Sequence, residues 1–239
     1  MSELARKPTS YGDITRVRGI LVLLQMKEAT MTEFPNSGSE RAPKQPWNKG
    51  KLVGAKPPLQ PKHVWAIRTR LQLEGRLRDL ALFNLAVDSK LRACDLVRLR
   101  KEDIAPHGYA AQRATVQQRK TGRPVRFEIT EQTREAVDAY LASMNKRPEP
   151  WLFPGRRTRP ITTRQYARLL DHWIAEIGLE PALFGTHSLR RTKATLIYRR
   201  TGNLRAVQLL LGHSKIESTV RYLGVEVDDA LAIAEQVDI

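Results

Sequence analysis

The sequence predicts an α+β fold that is mainly α-helical, with one small antiparallel β-hairpin. Three observations carry that expectation. From Pro61 onward, apolar residues recur at helical spacing in one segment after another. Two short runs with β-branched residues flank the turn pair Thr121-Gly122. Thr and Asn residues stand just ahead of several helical segments, where their side chains can cap a helix N-terminus.

The first sixty residues read differently from the rest. A short helix over residues 14–27 is the one element they allow, and both Met26 and Met31 could serve as translation starts. Residues 34–61 hold six prolines and three glycines among few apolar side chains, the composition of an extended linker. From Arg41 to Arg70 no acidic residue occurs, while Lys44, Lys49, Lys51, Lys56, Lys62, Arg68 and Arg70 add positive charge. Such a run is either an arm that follows phosphates or a solvated tail, because charge alone carries no geometry.

Order begins at Pro61, a residue suited to a first helical turn. Val64, Ile67 and Leu71 keep helical spacing, Gly75 interrupts, and Leu80, Phe83, Leu85 and Val87 continue as a second helix. Asp88 to Arg92 then turns into a short helix carrying Leu96 and Leu99. Residues 114–120 and 124–129 form the hairpin, with Lys120 at its tip. Thr130 is expected to cap a helix bearing Ala136, Val137, Tyr140 and Leu141, which the proline-containing stretch 147–154 ends. Thr162 and Gln165 have the capping-box spacing, ahead of Leu169, Leu170, Trp173, Ile174 and Ile177 on one helical face. A helix from His187 to about Arg200 follows. Asn203 caps Leu204 to Leu211, and Ser214 with Glu217 is expected to cap a last turn carrying Tyr222. Residues 225–239 are acidic, with Ala230, Leu231, Ala234 and Val237 at helical spacing. The division is therefore a basic segment over 1–60, a folded domain over 61–224 and a tail over 225–239.

Composition narrows the partners. With 239 residues the chain can bury the core of one ordinary domain. A net charge of +16, from 41 basic and 25 acidic residues, points to a polyanion such as nucleic acid. The single cysteine, Cys94, allows no intramolecular disulfide and supplies no cysteine cluster, which fits a reducing cytoplasm. The apolar run Ile20 to Leu24 is too short to span a membrane, and Lys27 and Glu28 follow where a signal peptide would place small residues. Neither export nor a membrane partner is expected.

Candidate chemistry lies between Thr186 and Tyr222. His187 and Arg190, three apart on a helix, share a face, and Arg191 can be reached from it as well, so spacing leaves two arginines. His213 follows Leu211-Gly212 where a helix ends, a place for a capping histidine or a reactive one. Tyr222 carries either a packed ring or a nucleophilic hydroxyl. His172, His187 and His213 lack the spacing of a metal site, and no acidic or cysteine ligand completes one, so no metal or other cofactor is expected.

His187-x-x-Arg190, Leu211-Gly212-His213 and Tyr222, taken in order, resemble the second half of the catalytic domain of tyrosine recombinases, the phage-integrase family. Upstream, Leu91 to Leu99 followed by Glu102-Asp103-Ile104 is similar to the segment holding that family's first catalytic arginine, which places the role on Arg92. Lys120 in Arg119-Lys120-Thr121-Gly122 looks like its hairpin lysine. The resemblance runs from about Pro61 to Tyr222 and favours Arg190 over Arg191. It implies a site-specific recombinase that cuts and rejoins double-stranded DNA through a 3′-phosphotyrosyl bond, without metal or ATP. Arg92 and Arg190 would clamp the phosphate, His187 would act as base, His213 would bond the phosphate, Lys120 would be the general acid and Tyr222 the nucleophile. It further implies a homotetramer on DNA, coupled by C-terminal tails docked in trans, although the tail could equally fold back on its own domain. The chain departs from the pattern ahead of residue 61, where a separate helical DNA-clamping domain is expected. Either the basic segment replaces that domain, or an accessory protein does, or DNA is held too weakly for autonomous recombination. The alternative function is a DNA-binding accessory or relict recombinase that does not complete strand exchange; a narrower third is topoisomerase-like relaxation with the same chemistry.

Overall fold

The structure, a computed structural model, describes residues 55–144 and 150–224, with Glu235 beyond them. All belong to the unit spanning residues 53–239. The expected helix over 14–27, Lys44, Lys49, Lys51, and the tail from 225 apart from Glu235 lie outside the described residues.

Helix α1 (Pro61–Leu73) opens on its proline and buries Val64, Ile67 and Leu71, the three residues the spacing picks out. Helix α2 (Leu77–Ser89) is the centre of the domain. From Asp79 to Ser89 every residue is buried, which is what a helix reading Leu-Ala-Leu-Phe-Asn-Leu-Ala-Val requires: it is apolar on all sides and must be covered on all sides. Helix α5 (Glu131–Ser143), helix α7 (Thr186–Thr201) and the hairpin supply the cover. Asn84 and Asp79 inside each find a charged partner, although Asn84 Nδ2 has no hydrogen-bond partner among the described residues. Asn84 Oδ1 accepts from Arg68 Nε at 2.7 Å, and Asp79 pairs with Arg76 at 2.8 Å.

Past α2 the chain makes two short helices, α3 (Ala93–Leu96) and α4 (Lys101–Ile104), where the sequence suggested one carrying both Leu96 and Leu99. The difference has a tertiary cause. The Leu99 carbonyl accepts the Leu152 N–H at 2.8 Å, and Arg100 forms a β-bridge with Trp151, so long-range pairing takes the backbone that a helix would have used.

Strands β1 (Arg113–Gln117) and β2 (Pro124–Glu128) pair antiparallel, with Ala114 opposite Phe127 and Val116 opposite Val125. Ala114, Val125 and Phe127 turn inward while their neighbours face solvent, the period-2 pattern of a half-buried ribbon. Thr130 is the N-cap residue of α5, but its hydroxyl does not cap. It donates to Asp88 Oδ2 at 2.7 Å, a bond that turns the hydroxyl toward the buried carboxylate at the end of α2. Helix α6 (Thr163–Glu176) begins with the expected capping box: Gln165 N donates to Thr162 Oγ1, and Thr162 N donates to Gln165 Oε1.

A 3-10 turn (Pro181–Leu183) leads into α7, followed by α8 (Leu204–Leu211) and α9 (Ile216–Leu223). Asn203 Oδ1 accepts from Ala206 N at 2.8 Å, capping α8 as its sequence suggests. Helix α9 departs from expectation. It starts at Ile216 with Lys215 as N-cap, so Ser214 stands one residue too early to cap it. Ala194, Val207 and Leu211 form a second, small core on which Tyr198, Tyr222 and Leu223 pack, separate from the large core around α2.

Candidate active site

Helices α6, α7 and α9, the residue capping α3 and the turn after α8 open onto one cleft of about 670 Å3. Arg92, His187, Arg190, His213 and Tyr222 all line it, as do Arg191 and Lys56. Five of the six residues singled out for chemistry thus converge from segments up to 130 positions apart in the chain.

Arg190 is the most firmly held of them. Its guanidinium is buried, with Nη1 donating to the Lys90 carbonyl at 2.6 Å and Nη2 to the Leu211 carbonyl at 2.8 Å. Both acceptors end helices: Leu211 is the last residue of α8, and Lys90 is the C-cap of α2 in the left-handed conformation at φ 54°. Two N–H bonds on carbonyls leave three of the five guanidinium protons for a ligand. Arg92 projects from the N-cap of α3 and donates to Gln118 Oε1 at 2.7 Å. Gln118 is itself buried and donates from Nε2 to the same Leu211 carbonyl, so the two arginines are referred to one backbone oxygen.

Tyr222 projects from α9 toward Arg190 and its neighbour Arg191. The Arg190 guanidinium lies 5.7 Å and that of Arg191 4.7 Å from its ring centroid, within cation–π range. Its hydroxyl is 3.5 Å from the His187 carbonyl, and its ring meets the His213 ring edge-on at 5.4 Å. Burial pushes its phenol above the ordinary tyrosine value, although Arg190 and Arg191 pull it down. Both histidines move the other way. Burial and the charges of Arg190, Arg191 and Arg92 hold His187 below its usual value, and burial with Arg190 and Arg92 takes His213 to about 4. Both rings are therefore neutral near pH 7. His213 Nδ1 lies 3.1 Å from Thr219 Oγ1; a hydroxyl donating there leaves the ring proton on Nε2.

The remaining candidates are placed elsewhere. Lys120 is exposed in the hairpin turn and does not line the cleft. Lys56 does line it, its ammonium bonded to the Phe184 carbonyl while its own carbonyl accepts from Arg191. Lys62 is exposed on α1. Arg68 is turned inward to Asn84, and Arg70 is committed to Glu74 and to the Glu176 carbonyl, so neither is presented to the cleft. His172 pairs with Glu176 on α6.

Sequence reasoning missed Gln118 and the carbonyls of Lys90 and Leu211. No local signal marks them, since their roles come from partners 21 to 100 residues away. Spacing alone left open the choice between Arg190 and Arg191, which the resemblance decided for Arg190; the geometry separates them by burial, with Arg190 inside and doubly bonded and Arg191 reaching over the tyrosine from the rim.

Residues 59–228 match the model of the phage integrase family. The chain belongs to that family. Among similar proteins, the probable integrase/recombinase YoeC of Bacillus subtilis is 33% identical over 163 residues, covering 67% of this chain and 84% of YoeC. The tyrosine recombinase XerC of Rhodospirillum centenum is 33% identical over 166 residues, covering 66% of this chain and 46% of that protein. The chain thus spans about half the length of the XerC-type relatives it matches. Among solved structures, the XerA recombinase superposes with a TM-score of 0.62 at 20% identity, covering 75% of this chain and 64% of that one. The Tn1549 transposon integrase with a circular intermediate DNA gives 0.61 at 17% identity, over 93% of this chain and 77% of that one. These likenesses establish the fold of this integrase-family chain as that of tyrosine recombinase catalytic domains. Among its described residues, no helix is long and apolar enough to cross a membrane.

Proposed function

We propose that this chain is a site-specific DNA recombinase of integrase type, which cuts and rejoins DNA through a 3′-phosphotyrosyl intermediate. The observation that carries the reading is the placement of Tyr222 under Arg190 and Arg191 in a cleft whose far wall holds Arg92.

The chemistry follows from what phosphoryl transfer needs. As the tyrosine oxygen attacks phosphorus, negative charge grows on the non-bridging oxygens, and preorganised guanidinium groups stabilise it without reorganising. Arg190, fixed by two carbonyls, and Arg92, fixed by Gln118, supply such groups. Tyr222 starts as a neutral phenol, so its proton must leave during attack, and the neutral His187 is the base in this cleft. His213, with Nε2–H free to donate, bonds the phosphate. The Tyr222 O–P bond forms, the P–O5′ bond breaks, and the leaving oxygen takes a proton from Lys120, a role that rests on resemblance. Because the turn bearing Lys120 lies outside the cleft, the hairpin must close on DNA to deliver it.

The phosphotyrosyl bond conserves the energy of the broken phosphodiester, so resealing calls for neither ATP nor a metal ion. The partner is double-stranded DNA, and a tetramer acting in the cytoplasm, with an accessory protein, completes the proposal. The assembled cleft supports an enzyme over a DNA-binding relict.

The test uses nicked duplex fragments covering the DNA around the chain's own coding region, with EDTA and without ATP. A denaturant-resistant adduct with the wild type, and none with Tyr222→Phe at equal DNA binding, is the expected outcome. DNA binding without adduct at any fragment would return the chain to the accessory reading.

A further inference from the structure

A second basic cleft lies beside the first. Its volume is about 450 Å3, and Arg98, Arg119, Arg156 and Arg159 line it, with Cys94 on the α3 side and Thr163 at the first turn of α6. No carboxylate is among its lining residues. Among the described residues none of these four guanidinium groups forms an ion pair or hydrogen bond, and Arg98 alone has a ring partner, 5.7 Å from the Trp151 centroid. On α1 and at the start of α2, by contrast, Arg70, Arg76 and Arg78 each meet a carboxylate. Four unmatched like charges around one concavity raise one another's energy unless an anion enters.

The position is as informative as the charge. Cys94 follows Arg92 by two residues, so their Cα atoms are within about 7.6 Å. Arg119 is adjacent in sequence to Gln118, the partner of Arg92. The shared wall is fixed, because Asp95 Oδ1, in the buried carboxylate of α3, accepts the Arg119 backbone N–H at 3.0 Å. A strand whose phosphate rests on Arg92 and Arg190 therefore has this cleft within reach of its neighbouring phosphates, and planar guanidinium forks suit phosphodiester oxygens.

We infer that the Arg98–Arg119–Arg156–Arg159 cleft is a second phosphate station, holding the backbone that flanks the scissile position. The inference rests on the DNA-cleaving reading and adds to it an anchor independent of residues 1–60. The competing occupant is the acidic segment beyond residue 224, with Glu226, Asp228 and Asp229.

Cys94 is the only cysteine in the chain and is partly exposed, so alkylation by iodoacetamide reports on this cleft alone. With the full chain and mixed-sequence duplex DNA, the duplex should slow Cys94 alkylation several-fold. The double variant Arg156→Ala/Arg159→Ala should lower the slope of log Kd against log salt by about 2 while leaving the melting temperature unchanged. Wild-type DNA binding with unprotected Cys94 and an unaltered slope in the double variant overturns the inference and leaves the DNA reading intact. Absence of any wild-type binding defeats both. Protection without DNA that disappears when residues 225–239 are removed would give the cleft to the acidic tail instead.

Discussion

The carbonyl oxygen of Lys90 lies 2.6 Å from Nη1 of Arg190, and that bond ties the reactive cleft to a buried ionic cluster. Lys90 is buried, its ammonium donating to the Asp88 carbonyl at 2.6 Å and lying 3.3 Å from Glu128. Lys193, one helical turn beyond Arg190, bonds Asp88 at 2.8 Å and Glu128 at 2.7 Å. The C-terminal ends of α2 and β2 and the middle of α7 are thereby clamped at the point where the α2 C-cap carbonyl is aimed at Arg190.

The left-handed backbone of Lys90 gives the first prediction. A residue with a Cβ pays about 1–2 kcal/mol for that conformation and glycine does not, so Lys90→Gly should be more stable than Lys90→Ala by about 1 kcal/mol. In an ordinary helix interior the order is reversed. Urea denaturation of the two variants decides it; a more stable alanine variant would mean that residue 90 is not held left-handed.

Gln118 and Gly212 meet behind Arg92. A Cβ on Gly212, at φ 66°, would fall 2.6 Å from Val125 Cγ2 and 3.0 Å from Gln118 Nε2, so Gly212→Ala should cost roughly 2–4 kcal/mol of stability through strain and overpacking. Gln118→Ala removes the anchor of Arg92 without that clash. Single-turnover cleavage should fall about tenfold, the equivalent of about 1.4 kcal/mol in the barrier, at nearly unchanged DNA affinity. A parallel loss of affinity would place Gln118 in DNA binding rather than in orienting the arginine.

Stability should fall as the solution is acidified below the ordinary histidine value. His213 is held at about 4 against 6.5, so between those limits the unfolded chain takes up a proton that the folded one does not. The contribution is complete above pH 6.5 and lost as pH falls toward 4, with His187 acting in the same direction. Asp88 and Glu128, held below the usual carboxylate range by Lys193 and Lys90 against the opposing effect of burial, add a further loss at lower pH. Thermal melts at pH 7 and pH 5 should differ more for the wild type than for His213→Gln; equal differences would contradict the burial of that ring.

Much of this fold was legible because its signals are local. The capping box of Thr162 and Gln165, the Asn203 cap and the alternation of Ala114, Val125 and Phe127 all depend on residues a few positions apart. Where a distant partner competes, sequence reasoning failed. Thr130 points to Asp88 rather than capping α5, and Leu99 pairs with Leu152 rather than extending a helix. The site divides in the same way. His187 and Arg190 share a helical face by spacing alone, whereas Lys90 and Gln118 act through bonds spanning 100 and 26 residues and carry no motif. Arg68 and Arg70 look like free cations in the sequence, but Asn84, Glu74 and Glu176 engage them.

The central claim is that the Tyr222 hydroxyl is the group that joins DNA. The direct measurement is to trap the covalent adduct, digest its DNA with nuclease and its protein with protease, and locate the residual nucleotide by mass spectrometry. A nucleotide attached through its 3′ phosphate to the peptide containing Tyr222 is the predicted result. Attachment to any other residue, or through a 5′ phosphate, would contradict the account.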